Sequence, residues 1–199
     1  MSQQTTDRET TTLMGAVTAP ATHDLMNVLA IINEHAGLLA DLLRFAKGEP
    51  VAPEQLEKGI KAIEAQVIRG RTLLTRLNSF AHATDLNPGP LDAGAAVSEM
   101  VQLSQRKFHA QLASPAPSHT ASCDPMVFRL LIYRLLDAAC DPSLAEGPCV
   151  TMALQDQTLL VTIQAQAPIE LTEPLTRLAD TIGATLTGSD NTLTLCLPK

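Results

Sequence analysis

The chain has 199 residues, 45% of them hydrophobic, which is enough to bury a core in one large domain or two small ones and argues against a disordered segment. Fourteen Lys and Arg against twenty-one Asp and Glu leave a net charge of −7, and the aromatics are four Phe, one Tyr and no Trp. That balance argues against nucleic-acid binding, which needs a basic surface to release phosphate counterions and usually needs aromatics for stacking.

The chain opens on the polar stretch MSQQTTDRETTT, and residues 1–21 are expected to form a flexible N-terminal segment. No targeting pattern stands out, and no apolar run approaches the roughly 20 residues that span a bilayer. A soluble, cytoplasmic protein with no membrane partner is expected. Pro20 favours a helix start close to His23, with Thr22 as its cap.

Two long helical patterns follow, separated by the break KGEPVAP at 47–53. Leu25, Leu29, Ile32, Ala36, Leu39, Leu43 and Ala46 repeat at 4-3 spacing, and so do Leu56, Ile60, Ile63, Val67, Gly70, Leu74 and Leu77. Each row is a heptad seam. A connection this short makes the helices antiparallel, seam against seam, with residue numbers adding to about 99 side by side. Val28, Ile31, Leu38 and Leu42 fall off the seam and would face water in a lone hairpin. A homodimer, two hairpins forming a four-helix bundle, is the expected cover.

Beyond the break LNPGP at 86–90 the pattern is mixed. Helices are expected at 93–108, 125–139 and 171–182, with a Pro/Ser-rich loop, ASPAPSHTAS, at 113–122. Short β-runs are expected at Cys149–Leu154, Leu159–Ala165, Ala184–Thr187 and Thr192–Leu197, with QDQT and GSDN as hairpin turns. The expected fold is therefore α+β, with the hairpin at residues 22–86 and an α/β sandwich at 87–199. Cys123, Cys140, Cys149 and Cys196 form no CxxC and have no histidine at zinc-ligand spacing, so they read as reduced thiols and no metal site is expected.

If Leu25 is a d position, His23 is b, Asp24 is c and Asn27 is f, so His23 and Asn27 lie one turn apart on the outward face. His35 is a g residue at the seam boundary, and His82, His109 and His119 read as ordinary surface residues. A His-Asp pair at a helix start is weak evidence of function by itself.

Its neighbourhood changes that. HDLMNVLAIINEHAGLL resembles the H-box of bacterial sensor histidine kinases, whose hybrid form reads HD-x-x-N before an aliphatic helix. LLTRLNSFAHATDLNPGPLDAGAAVSEM is similar to the exit of the second dimerisation helix. CDPMVFRLLIYRLLDAACD resembles the Asp-Pro and N-box segment of the ATP-binding domain, and TRLADTIGATLTGSDNTLTLCLP its closing helix and hairpin. The likeness covers most of the chain in the right order.

The departures carry the functional expectation. The N-box pattern DPxxLRQVLLNLLxNAxD keeps Asp124, Pro125, Ala139 and Asp141 but places Arg134 and Ala138 at the two asparagine positions. The second asparagine is the family's magnesium ligand, and alanine has no oxygen to offer a hard cation. No glycine stands between Ile169 and Leu178, where the family's glycine box would cradle phosphates. No cofactor bound by this chain is therefore expected. A histidine bundle joined to a degenerate ATPase-like domain resembles the ChpT-type histidine phosphotransferases and the sporulation phosphotransferase.

What the resemblance implies is relay of a phosphoryl group between response-regulator receiver domains through His23, with Asp24 and Asn27 completing the catalytic set. Receivers, and possibly a hybrid histidine kinase, are the implied partners, and magnesium is expected on the receiver. Ile31 and Glu34 below His23, with Arg69, Thr72, Leu73 and Arg76 on the second helix, are the expected docking residues. Two alternatives stand beside this: a non-catalytic pseudokinase dimer that binds or sequesters a kinase or receiver, and an active kinase with a divergent nucleotide site.

Overall fold

The computed structural model describes residues 3–46 and 50–199, with side chains from Arg8 onward. Residues 47–49, within the expected break, lie outside the described set. The chain divides into two compact units, Thr18–Asn78, and Met1–Val17 together with Ser79–Lys199.

The first helix, α1 (Gln3–Phe45), runs without a break through Pro20. The expected flexible segment at 1–21 is thus helical from Gln3, and Thr22 lies inside the helix rather than capping its start. Proline lacks the N–H that would reach the carbonyl of Ala16, and an interior proline costs a helix about 3 kcal/mol. Leu13, Val17 and Ala21, spaced four apart on one face and all buried, offset that cost. One window within Arg8–Phe45 has mean hydropathy 1.2, so by length and composition alone this helix meets the criterion for a membrane span that the sequence pattern set aside. An amphipathic bundle helix rich in aliphatics reaches the same average.

The second helix, α2 (Pro53–His82), opens on a proline, whose missing N–H would be unbonded at a helix start anyway. Within Thr18–Asn78 it pairs with α1 through two glycines. A Cβ on Gly70 would lie 3.1 Å from Cγ1 of Val28, and one on Gly59 would lie 2.7 Å from Cδ2 of Leu39. Both pairs of residue numbers add to 98, so the helices are antiparallel in nearly the register expected.

The seam itself is rotated from expectation. Val28 is buried, and Leu25, Ile32, His35 and Leu39 are half-buried, whereas Leu29 and Leu43 of the expected seam are exposed. On α2, Gly70 is buried and Gly59, Ile63, Gln66, Leu73 and Leu77 are half-buried, while Ile60, Val67 and Leu74 are exposed. The cause is the glycine pair: α1 bears three adjacent apolar columns, and it turns the column carrying Val28 and Leu39 into the notches left by Gly70 and Gly59. Val28 and Ile31, expected to face water, are accordingly buried and half-buried, while Leu38 and Leu42 are exposed as expected.

In the other unit, β1 (Gly89–Asp92) leads into α3 (Ala93–Leu103), whose N-terminus is capped by the Asp92 carboxylate accepting from the Ala95 N–H. The expected helix at 93–108 breaks at Ser104, and α4 (Gln105–Phe108) ends on His109 at φ 52°. Next come β2 (Gln111–Leu112), β3 (Thr120–Cys123) and α5 (Pro125–Ala139), the last matching its expected span. Asp124 caps α5 by accepting from Met126 and Val127, with Pro125 at the first helical position.

The remaining elements are β4 (Cys149–Gln155), β5 (Thr158–Gln164), α6 (Glu173–Thr181), β6 (Thr185–Ser189) and β7 (Thr192–Leu197). The main sheet has the order β2-β4-β5-β7-β6, antiparallel except for the β2–β4 pair, and β1 pairs with β3 apart from it. Asp156 and Gln157, both at positive φ, make the two-residue turn between β4 and β5. Helix α5 packs between α3 and α6 and against β5. Its Leu131, Ile132, Leu135 and Leu136, with Leu159, Val161, Leu193 and Leu195 of the strands, form the core. The buried Arg129 guanidinium donates to Glu99 at 2.8 Å and to the Pro125 carbonyl at 3.1 Å, tying α5 to α3.

Candidate functional site

His23 lies on the exposed side of α1, its side chain 55% accessible. The Asn27 amide nitrogen stands 3.2 Å from His23 Nδ1, and an Asp24 carboxylate oxygen stands 4.0 Å from the same atom. Helical geometry makes this grouping: Asn27 is one turn from His23, and Asp24 is the adjacent residue.

The two neighbours ask for opposite tautomers. An amide nitrogen only donates, so in this arrangement Nδ1 accepts from Asn27 and the imidazole proton sits on Nε2. A carboxylate only accepts, so rotating Asp24 onto Nδ1–H moves the proton there and leaves a lone pair on Nε2, the state a nucleophile needs. Turning the Asn27 carboxamide end for end has the same effect, because its oxygen then faces Nδ1.

The other expected residues share the Thr18–Asn78 unit. In the observed register Arg76, Leu73, Thr72 and Arg69 stand level with residues 22, 25, 26 and 29, beside His23 and its next turns. Helical phase groups Asn27 and Ile31 with Arg69, Leu73 and Arg76 on one flank of the hairpin. Arg69 and Glu34 are exposed; Ile31, Leu73 and Arg76 are half-buried. Thr72 is exposed and neighbours Arg69 and Arg76 at helical spacing, and its hydroxyl donates to the Ile68 carbonyl of its own helix at 2.9 Å. The opposite flank carries Leu29, Ile60, Val67 and Leu74, all exposed.

In the C-terminal unit the expected nucleotide positions line a cleft of about 350 Å³, formed by Arg134, Asp137, Ala138, Thr172, Pro174, Leu175, Leu178 and Glu9. Ala138 offers no metal ligand, no glycine loop opens between β5 and α6, and Arg134 is engaged with Glu9 at 3.7 Å. Among the described residues no three His, Cys, Asp or Glu side chains gather as metal ligands.

Two of the thiols, Cys123 and Cys140, are held toward their neutral form. Burial, and then the charge of Asp124, pushes Cys123 up to about 11, and burial followed by Asp137 raises Cys140. Burial works against the Lys107 ammonium, but hydrogen bonds to Asp137 and Tyr133 outweigh it and hold the amine above its usual range. Sequence reasoning missed the Glu9–Arg134 pair, because Glu9 lies in a segment whose polar composition reads as disordered. It missed the role of Gly59 as well, since a glycine outside the heptad row carries no apolar signal.

No family model and no curated protein matches the sequence. Among solved structures the chain is similar to the histidine kinase AdeS of Acinetobacter baumannii, at 13% identity and TM-score 0.42 over 88% of this chain and 97% of that one. It is similar to the catalytic domain of the histidine kinase ThkA, at 11% identity and TM-score 0.43 over 57% of this chain and 99% of that one. It is also similar to ThkA in complex with the response regulator protein TrrA, at 15% identity and TM-score 0.40 over 96% of this chain and 62% of that one. The structural neighbours are thus histidine kinases, and likenesses this low leave the functional argument to the residues themselves.

Proposed function

We propose that the chain is a histidine phosphotransferase that relays a phosphoryl group between receiver domains through His23. The observation that carries the reading is the exposed His23 imidazole with Asp24 and Asn27 gathered at its Nδ1, on a helix joined to a domain that carries Ala138 at the expected metal-ligand position. Nε2 attacks the phosphorus of a receiver's aspartyl phosphate, the P–O bond to the receiver carboxylate breaks, and that carboxylate leaves with the electron pair. The imidazole becomes a cationic phosphohistidine, and Asp24, accepting from Nδ1–H, stabilises that charge. The second receiver reverses the sequence. Phosphoryl transfer of this kind asks mainly for positioning and charge neutralisation, and the receiver is expected to bring the magnesium.

The receiver docks along the flank of Asn27, Ile31, Arg69, Leu73 and Arg76, where half-buried aliphatics alternate with cations that suit the acidic rim of a metal-binding receiver pocket. The opposite flank of Leu29, Ile60, Val67 and Leu74 faces a second copy, completing a four-helix bundle in a homodimer. The test mixes the protein with a phosphorylated receiver and follows acid-labile, alkali-stable label; His23→Ala is expected to take none. Label in the parent from ATP alone would instead support an active kinase.

A further inference from the structure

The N-terminal segment of α1 is an unexplained feature of the C-terminal unit. Residues up to Val17 cluster with Ser79–Lys199 and not with the hairpin. Glu9 lines the cleft between α5 and α6, its carboxylate 3.7 Å from the Arg134 guanidinium. Leu13 and Val17 follow Glu9 at intervals of four, on the same side of the helix, and only 2% and 1% of their surfaces remain accessible. Thr11, Thr12, Gly15 and Ala19, on other sides, are exposed. The segment therefore has one buried face, and that face begins at the cleft.

From this we infer that residues 8–17 are an intramolecular cap on the α5–α6 cleft, a resident occupant of the surface that Arg134 and Ala138 line. The chemistry of the pair fits the role. Arg134 places a fixed positive charge in a cleft otherwise walled by Ala138, Pro174, Leu175 and Leu178, with Thr172 and Asp137 at its polar edge. A cation there attracts an anion, and Glu9 supplies one from within the chain, while the buried aliphatics beyond it provide the larger hydrophobic contribution. The cap and any external anion compete for the same cleft. Its release would expose an apolar surface containing a guanidinium, a site for an amphipathic anion. This device does not depend on His23 carrying phosphate.

The test is hydrogen exchange on the full-length protein, with 8-anilinonaphthalene-1-sulfonate as the probe of an opened cleft. In the parent, the amides of residues 12–19 should be protected like those of α5, and the dye should gain little fluorescence. Leu13→Asp should remove protection from residues 12–19, reduce it in α6, leave residues 28–39 unchanged, and create saturable dye fluorescence that Arg134→Ala weakens. Should Leu13→Asp fail to fold, Glu9→Arg decides: it should loosen the same amides by a smaller factor, and Arg134→Glu in that background should restore them. The inference is overturned if residues 12–19 exchange in the parent as fast as in Leu13→Asp. It is also overturned if the folded variant gains no dye binding, or if the charge-swapped pair shows no restoration.

Discussion

The register of the hairpin rests on two glycines, and alanine substitutions at three helical glycines separate packing from propensity. Each Gly→Ala change within a helix gains about 0.8–1.0 kcal/mol from the unfolded chain's lost freedom. A methyl added at Gly37 would meet nothing within 4 Å, so Gly37→Ala should keep that gain. At Gly70 the methyl would stand 3.1 Å from Val28 Cγ1. Valine is stiff at χ1, so the accommodation costs about 1 kcal/mol and the substitution should be close to neutral. At Gly59 the methyl would stand 2.7 Å from Cδ2 and 2.9 Å from Cγ of Leu39, and the leucine must leave its position. Overpacking of this kind costs about 1–3 kcal/mol, for a net loss of up to about 2 kcal/mol. Urea unfolding followed by circular dichroism measures all three. Combining Gly59→Ala with Leu39→Ala should cost less than the two single changes summed, because the new methyl fills space the leucine vacates. If Gly59→Ala stabilises as much as Gly37→Ala, the helices do not meet at Gly59 and the register is wrong.

Three further outcomes follow from other parts of the molecule. Val67→Glu, which places a charge on the exposed flank opposite the docking residues, should convert a dimer of about twice 21.2 kDa to a monomer in light scattering at micromolar concentration; a parent that is already monomeric refutes the assigned dimer face. Arg129→Ala strands the buried Glu99 carboxylate and should cost about 3–5 kcal/mol, whereas Arg129→Met with Glu99→Leu should recover most of it; equal loss in both would show that the pair's charge is not the issue. With its thiol pushed up to about 11, Cys123 at pH 8 is thiolate in about one molecule in a thousand, so iodoacetamide should label it far more slowly in the native protein than in urea. Equal rates by mass spectrometry would contradict that environment.

The C-terminal half was largely legible from local chemistry. The Asp124-Pro125 start placed α5, and the polar turns at Asp156-Gln157 and Asp190-Asn191 placed two hairpins, because caps and turns are short-range signals. Strands β1, β2 and β3 were not expected: they span two to four residues within proline-rich stretches and exist only through their partners. In the hairpin, periodicity gave two antiparallel helices and a register within one residue of that observed. It could not choose among three apolar columns on α1, since the choice is made by Gly59 and Gly70 on the other helix. The outward placement of His23 beside Asn27 followed from helical phase alone. Helix continuity through Pro20 did not, because the burial of Leu13 and Val17 that sustains it is tertiary.

His23 is proposed to carry phosphate received from another protein. The most direct measurement incubates the purified chain with a ³²P-labelled receiver, magnesium and no ATP, and follows label in the parent, His23→Ala and Asp24→Asn proteins. Acid-labile label is expected on the parent and none on His23→Ala, although that variant's stability stays within about 0.5 kcal/mol of the parent's. Asp24→Asn should be labelled more slowly, since tautomer control is lost and the nucleophile remains. Label on His23→Ala equal to the parent's, or no label on the parent from any receiver that binds it, would rule out relay through His23 and leave the chain as a non-catalytic docking module.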